Sequence, residues 1–303
     1  MTEDSSVKLS ELTRATDGTI TFTVTIAKVK VAQAYSEALN HSTKVAEIKG
    51  FRKGKAPKET VEKALGKTKL YEHALEHLLP EVTGLALQKH QLKPIISPRL
   101  TPIALEADKD WQFKLEVVET PQFELGDYKD KVKGALAATK IWVPGQDKNE
   151  KVEDPELSRR TDNQSLSDKR LAKIFDALLD NISVPLPKLL IDDEVNRALS
   201  KLLDQIQKLG LTLDQYLAST GKTSKALRED YQKTAMANLK LEFILQEIAR
   251  DLSVEVEETE IDQMIAAIPD EKTRESFKSS TQRAYVKSVL RKRKTIEALQ
   301  KLG

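Results

Sequence analysis

The apolar positions of this chain follow a period of two in its first part and a helical period in its last. From Thr19 to Ile26 polar and apolar residues alternate strictly, which predicts a half-buried strand. Asp17-Gly18 just before it is a turn signal, joining it to a weaker strand over Val7 to Leu12. Val31, Ala34, Tyr35, Ala38 and Leu39 then recur at helical spacing, with Val45 and Ile48 following, so a helix is expected across 31–48. Lys58 to Leu65 reads as a short helix and Leu70 to His90 as a longer one. Pro80 lies inside the longer pattern and is expected to kink or split it, because proline lacks the N–H and crowds the preceding turn. Two further strands are expected, at Ile95 to Ile103 and at Trp111 to Val118. Strands on both sides of a helical block imply a small sheet packed by helices over residues 1–121.

Residues 122–164 change character. Gly126, Gly134, Pro144-Gly145 and Pro155 break up the apolar pattern, and Asp147 to Asp154 is highly charged. The segment reads as an extended linker, with one strand at Ala138 to Val143. Thr161 to Gln164 reads as a loop, and Ser165 with Asp168 as a helix cap. From 165 to 303 the period is helical throughout. Leu171, Ile174, Phe175, Leu178 and Leu179 share one face of a helix ending near Ile182, and Pro185 and Pro187 break it. A second helix spans Leu189 to Leu209 and closes at Gly210. Thr212 and Gln215 fit a capping box for a short helix, Ala226 to Leu252 is a long helix, and Ile261 to Ile268 and Phe277 to Leu302 complete the set. The fold class expected is α+β at the N-terminus followed by an all-α C-terminal part with long helical arms.

Composition narrows the function. Charged residues make up 32% of the 303 positions, yet the net charge is only +2, and aromatics are 5%. Long helices with solvated faces fit these proportions better than one thick core. There is no cysteine, which excludes disulfides and thiolate ligands or nucleophiles. The first 20 residues lack a basic stretch followed by an apolar one, and no apolar run approaches the length of a membrane span. A cytoplasmic protein without a membrane partner is the expectation. No phosphate-cradling glycine loop, dinucleotide fingerprint or nucleophile elbow is present, so no cofactor and no enzymatic chemistry are predicted. His73 and His77, four apart, have the spacing of paired metal ligands. No third ligand accompanies them, so no metal site is assigned.

The charge is unevenly spread. Between residues 49 and 69 stand eight cations, namely Lys49, Arg52, Lys53, Lys55, Lys58, Lys63, Lys67 and Lys69, against only Glu59 and Glu62. Such a patch attracts phosphate backbones or an acidic protein surface. Within it, Gly50-Phe51-Arg52-Lys53-Gly54-Lys55-Ala56-Pro57 frames an aromatic and two cations between glycines, and Pro57 suits the start of a new helix. The result expected is a loop tip that presents Phe51, Arg52 and Lys53 outward.

This octapeptide resembles the signature of trigger factors, ribosome-associated chaperones. The order of strands and helices around it, and the strand-like Trp111 to Pro121, are similar to that family's ribosome-binding domain. Asn181 to Val195 and Leu239 to Glu257 resemble the arms of its substrate-binding domain. The resemblance implies an ATP-independent chaperone that docks at the ribosomal exit tunnel, on protein and RNA, through Gly50, Phe51, Arg52, Lys53, Gly54, Lys55 and Pro57. It implies that nascent or unfolded chains are held on the helical part, 165–303, with Ile191, Val195, Leu199, Leu202, Leu239, Phe243 and Ile244 as candidate client contacts. It leaves homodimerisation away from the ribosome open. One departure is large: residues 122–164 leave no room for the peptidyl-prolyl isomerase domain found there in trigger factors, since a domain of that kind needs roughly 100 residues. Proline isomerisation is therefore not carried over. Two other readings compete. One is a nucleic-acid-binding protein using the 49–69 patch, although few aromatics accompany its cations; the other is a holdase or scaffold that never meets the ribosome. The basic run Arg291-Lys292-Arg293-Lys294 sits among apolar residues at helical spacing and reads first as a solvated helix face.

Overall fold

The computed structural model describes residues 6–106, 108–139 and 155–302, without the side chains of 138, 139 and 155–166. They fall into two compact units, one running to Thr120 and taking in Pro187–Leu190, the other made of Pro121–Leu186 and the chain from Ile191 onward.

The first unit is a sheet covered by helices. Five antiparallel strands, β1 (Val7–Leu9), β2 (Thr13–Arg14), β3 (Thr19–Ile26), β4 (Arg99–Ala104) and β5 (Trp111–Val118), are ordered β1-β3-β5-β4, with β2 also on β3. Of the strand expected over 7–12 only Val7–Leu9 forms, and β2 follows just beyond it on the same edge of β3. Between them the Ser10 hydroxyl accepts from the Thr23 N–H at 2.9 Å, where a backbone carbonyl would otherwise sit. The alternation in β3 and β5 puts Ile20, Phe22, Val24 and Ile26 beside Trp111, Phe113, Leu115 and Val117 on one buried face. Helices α1 (Lys28–Val45) and α3 (Lys67–Lys89) cover that face with Val31, Ala34 and Ala38, and with Ala74, Leu78, Val82 and Ala86. A short helix, α2 (Lys58–Leu65), joins them.

Pro80 neither splits nor ends α3, which runs unbroken for 23 residues. The proline is on the exposed side of the helix, as is Glu76, whose carbonyl loses its partner there and can be hydrated instead. Leu78 and Val82, on the other side, are anchored in the core and carry the helix across.

The second unit is helical among its described residues, and it corrects the reading of 122–164. Most of its described part is helical: α4 spans Tyr128–Thr139 and α5 spans Pro155–Asn181. Ala138 and Thr139 of the expected strand belong to α4, and 140–143 lie outside the described residues. Thr161 to Gln164 and the supposed cap at Ser165 lie inside α5. Tyr128, Val132 and Leu136 stand four apart and are all buried. They form a one-sided apolar stripe, and α4 packs against α5 and α11 (Ser280–Gln300). Around them, Ile174 and Leu178 of α5, Ile244 and Ile248 of α8 (Ser224–Asp251) and Leu299 of α11 are almost wholly enclosed. Between α5 and α8 come α6 (Lys188–Lys208) and α7 (Leu213–Thr220), and α7 begins at the expected capping box of Thr212 and Gln215. Two short helices, α9 (Glu258–Ala266) and α10 (Glu271–Ser276), precede α11. Val256, Ile261 and Ile265 pack against Val286.

The run at 291–294 is taken up within this unit. Lys292 pairs with Glu242, Arg293 with Glu297, and Lys294 with Glu260.

A buried hydroxyl ties α4 to α8. The Tyr128 hydroxyl donates to Asp251 at 2.6 Å, and Lys129 pairs with the same carboxylate at 2.9 Å. The Lys129 ammonium and the Tyr128 hydroxyl hold the Asp251 carboxyl below its ordinary value of 3.8. Tyr128→Phe is expected to lower the urea unfolding free energy by about 1–2 kcal/mol, at or below the low end of the range for a hydrogen bond to a charged group because the Asp251 side chain is 40% exposed. Because the folded pKa is depressed, the stabilisation from the ionised carboxylate is present above the ordinary value and is lost as pH falls through the folded one. Unfolding of both proteins at pH 7 and at pH 3 would show the difference narrowing in acid.

Candidate functional site

The glycine-framed segment forms two β-turns in succession. The Phe51 N–H donates to the Ile48 carbonyl at 3.0 Å, and the Lys55 N–H to the Arg52 carbonyl at 2.9 Å. In each turn a glycine fills the third position with positive φ, Gly50 at +90° and Gly54 at +76°, the geometry of a type II turn. The turns are held at their base. The Ala46 N–H caps α1 on the Ser42 carbonyl, Ala56 is buried, and Pro57 stands at the N-cap of α2 with its carbonyl accepting from Thr60 and Val61.

A Cβ on Gly54 would lie 3.2 Å from the Lys44 carbonyl oxygen, whereas one on Gly50 would meet nothing. Both substitutions strain a left-handed backbone, but only Gly54→Ala also presses on α1. Gly50→Ala is expected to cost about 1 kcal/mol and Gly54→Ala about 2 kcal/mol or more. Chemical denaturation of the two variants would read the order; equal losses would show that the contact with Lys44 relaxes freely.

The turns put side chains where a partner can reach them. Of the seven phenylalanines, Phe51 is the exposed one among the described residues, at 44%. Arg52, Lys53 and Lys55 are exposed beside it, and so are the other five cations of the 49–69 segment. Lys53 approaches Glu47 only loosely, at 3.9 Å with both side chains open to solvent, a pairing of small energetic value. Of the two acids in the segment, Glu62 accepts from the Tyr35 hydroxyl at 2.8 Å. Desolvation, with the Glu62 carboxylate adding to it, pushes the Tyr35 hydroxyl well above the ordinary tyrosine range, so it stays a donor. Glu62 thus serves the fold and faces the patch less than its position in the chain suggests. The surface combines one accessible aromatic with a dense field of cations. It offers no nucleophile or acid–base pair; it can bind.

His73 and His77 do not converge. His73 meets the Ser42 hydroxyl at 3.4 Å, while the His77 ring faces that of His41 at 6.3 Å. No group of three or more metal-ligating side chains occurs among the described residues.

The seven apolar candidates on the helical arms are placed otherwise than expected. Ile191 and Val195 are buried with Ala235, and Leu199 and Leu239 pack against them. Leu202 is buried with Ile206 and Leu227. Phe243 and Ile244 are enclosed at 8% and 0% exposure. These stripes hold helices together, so they do not form an open client surface in this conformation. Apolar side chains that are open lie elsewhere on the same arms: Leu203, Leu209, Leu211, Leu213 and Met236, with Leu209 the most exposed at 75%. Three of them are signalled in the sequence by Leu209-Gly210-Leu211-Thr212-Leu213, an apolar run across a turn, where no core-facing period can account for it.

No helix among the described residues is long and apolar enough to cross a membrane. Two family models match the chain from residue 9 to residue 301. Residues 9–154 match the family model described as bacterial trigger factor protein, and residues 155–301 match that for the bacterial trigger factor C-terminus, with nothing between the two matches. The trigger factor of Ligilactobacillus salivarius (strain UCC118) is 34% identical over 125 residues, covering 41% of this chain and 28% of that protein. That of Staphylococcus aureus (strain JH9) is 36% identical over 107 residues, covering 35% and 25%. The chain thus spans about a quarter of the length of the curated relatives it matches, 28% and 25%. A solved structure, described for promiscuous substrate recognition in the folding and assembly activities of the trigger factor chaperone, aligns with a TM-score of 0.62 over 96% of this chain and 99% of that one. At 15% identity the likeness is one of fold.

Proposed function

The chain belongs to the trigger factor family, and on that premise we propose that it is a cytoplasmic, ATP-independent chaperone. It docks on the ribosome beside the nascent-chain exit through the double turn at 50–57 and holds unfolded segments on its helical unit. The observation that carries this reading is the exposed Phe51, framed by two positive-φ glycines and set among exposed cations. An aromatic can enter an apolar slot while Arg52 and Lys53 fix its orientation on RNA or acidic protein, which is the composition of interface anchors. Family membership supports the same reading. With the two family matches adjoining at 154 and 155, there is no stretch for an isomerase domain, and the proposed activity is holding without catalysis.

Client contacts belong on the open apolar residues of the arms. Leucine and methionine side chains adapt to varied sequences, and shallow contacts release what they hold. In the free protein the same residues give two copies a surface to pair on, which sedimentation equilibrium would read as a concentration-dependent mass.

Two measurements on the intact chain test the reading. It should pellet with ribosomes at physiological salt, and it should suppress aggregation of a chemically unfolded client without nucleotide. Failure of the first removes the docking assignment; failure of the second removes the chaperone.

A further inference from the structure

Between α8 and α11 the helical unit holds a cavity of about 270 Å³. Its floor is apolar, with Leu245 and Ala249 each 2% exposed. Its wall carries Arg250, Lys287, Arg291 and Lys292 against one carboxylate, Glu242. Two of the four cations are matched: Lys292 by Glu242, and Arg250 by Glu247 at 2.9 Å. The other two have no carboxylate partner among the described residues. Lys287 is exposed. Arg291 makes one long bond from Nη2 to the Ala249 carbonyl at 3.4 Å, and its Nε is buried without an acceptor.

Arg291 is thus poorly satisfied within the fold, and its guanidinium keeps outer N–H donors for a better acceptor than the distant Ala249 carbonyl. A carboxylate would be one, with charge assistance, and Lys287 would add a second cation to it. The apolar floor asks for more than a bare anion. We infer that this groove is a specificity site for client segments that carry an acidic side chain next to an apolar one, with the carboxylate on Arg291 and Lys287 and the apolar group over Leu245 and Ala249. This rests on the chaperone reading and names the class of client segment the arms prefer.

The test uses three N-acetylated, C-amidated fluorescent octapeptides, binding to the full chain being followed by anisotropy. The first has Leu-Phe-Glu-Leu at its centre, the second has Gln for Glu, and the third has Ser for Leu and Phe. The first is expected to bind about tenfold more tightly than the second, as one charge-assisted bond would give, and more tightly than the third, which has lost its apolar groups, by about tenfold or more. In Lys287→Ala and in Lys287→Ala/Arg291→Lys the preference for Glu over Gln should shrink or vanish. Lys287 is exposed, so the single variant tests the site even where the double variant loses stability.

Equal binding of the Glu and Gln peptides to the intact chain would overturn the inference, and so would a preference untouched by both variants. Equal binding of the Ser peptide would reduce the groove to a plain anion site and overturn the assignment to amphipathic segments. Aggregation suppression run alongside separates the two readings. Suppression without peptide discrimination sinks the groove alone, whereas discrimination without suppression sinks the chaperone and leaves the groove.

Discussion

Replacing Phe51, Arg52 and Lys53 together by alanine is expected to weaken binding to purified ribosomes by about a hundredfold or more, with no change in fold. An aromatic anchor that fills a slot costs about 2 kcal/mol or more when truncated, and its two flanking cations add about another 1 kcal/mol. The fold should not notice, because the three side chains are exposed and none takes part in the core beneath the sheet. Surface replacements of this kind stay within about 0.5 kcal/mol. Co-sedimentation at physiological salt, with far-UV circular dichroism and a thermal melt on the same samples, reads both halves of the expectation. A ribosome interaction that survives the triple variant would move docking to the other cations of the 49–69 segment. Salt-sensitive binding to naked RNA that ignores Phe51 would then favour the nucleic-acid reading, because phosphate contacts alone release counterions without needing the aromatic.

The second large effect separates core from client surface on the arms. Ile244→Ala is expected to lower the stability of the helical unit by about 3–4 kcal/mol, since a fully enclosed isoleucine leaves both its transfer energy and a cavity behind. At temperatures where the variant stays folded, its client affinity should be unchanged. Leu209→Ser/Leu211→Ser should do the reverse. Both side chains are open, so the unfolding midpoint should hold while suppression of client aggregation falls several-fold. Calorimetry and an aggregation assay on the two variants give four readings. If Ile244→Ala impaired holding without loss of stability, the arms would have to open to expose their packed stripes to clients. If Leu209→Ser/Leu211→Ser left holding intact, the client surface would lie elsewhere.

The double turn at 50–57 was legible in the sequence because turn chemistry is local. Gly50 and Gly54 occupy the third positions of two turns closed by bonds four residues long, and nothing distant is needed to place them. The strands β3 and β5 were legible for a similar reason, since strict alternation leaves a single face to bury. α4 was not. Gly134 and the glycines and prolines on either side of it outweighed Tyr128, Val132 and Leu136, whose four-residue spacing marks a helix only once α5 and α11 are there to cover it. Pro80 is a parallel case: its intrinsic cost is real, but the packed residues around it decide the outcome.

Fold class, the class of surface at 49–69 and the identity of the presenting side chains are thus properties of short stretches of chain, set by steric limits on φ and by the period of apolar residues. Which apolar stripe is core, which cation is free and which acid is engaged are not. Ile191 and Leu209 are both apolar residues of the same arm region, yet one is closed by Ala235 and its neighbours and the other stands open. Glu62 is drawn to Tyr35, and Lys292 and Lys294 to Glu242 and Glu260, by residues 27 to 50 positions away. Burial and pairing depend on what the fold brings close, and only the tertiary arrangement supplies those neighbours.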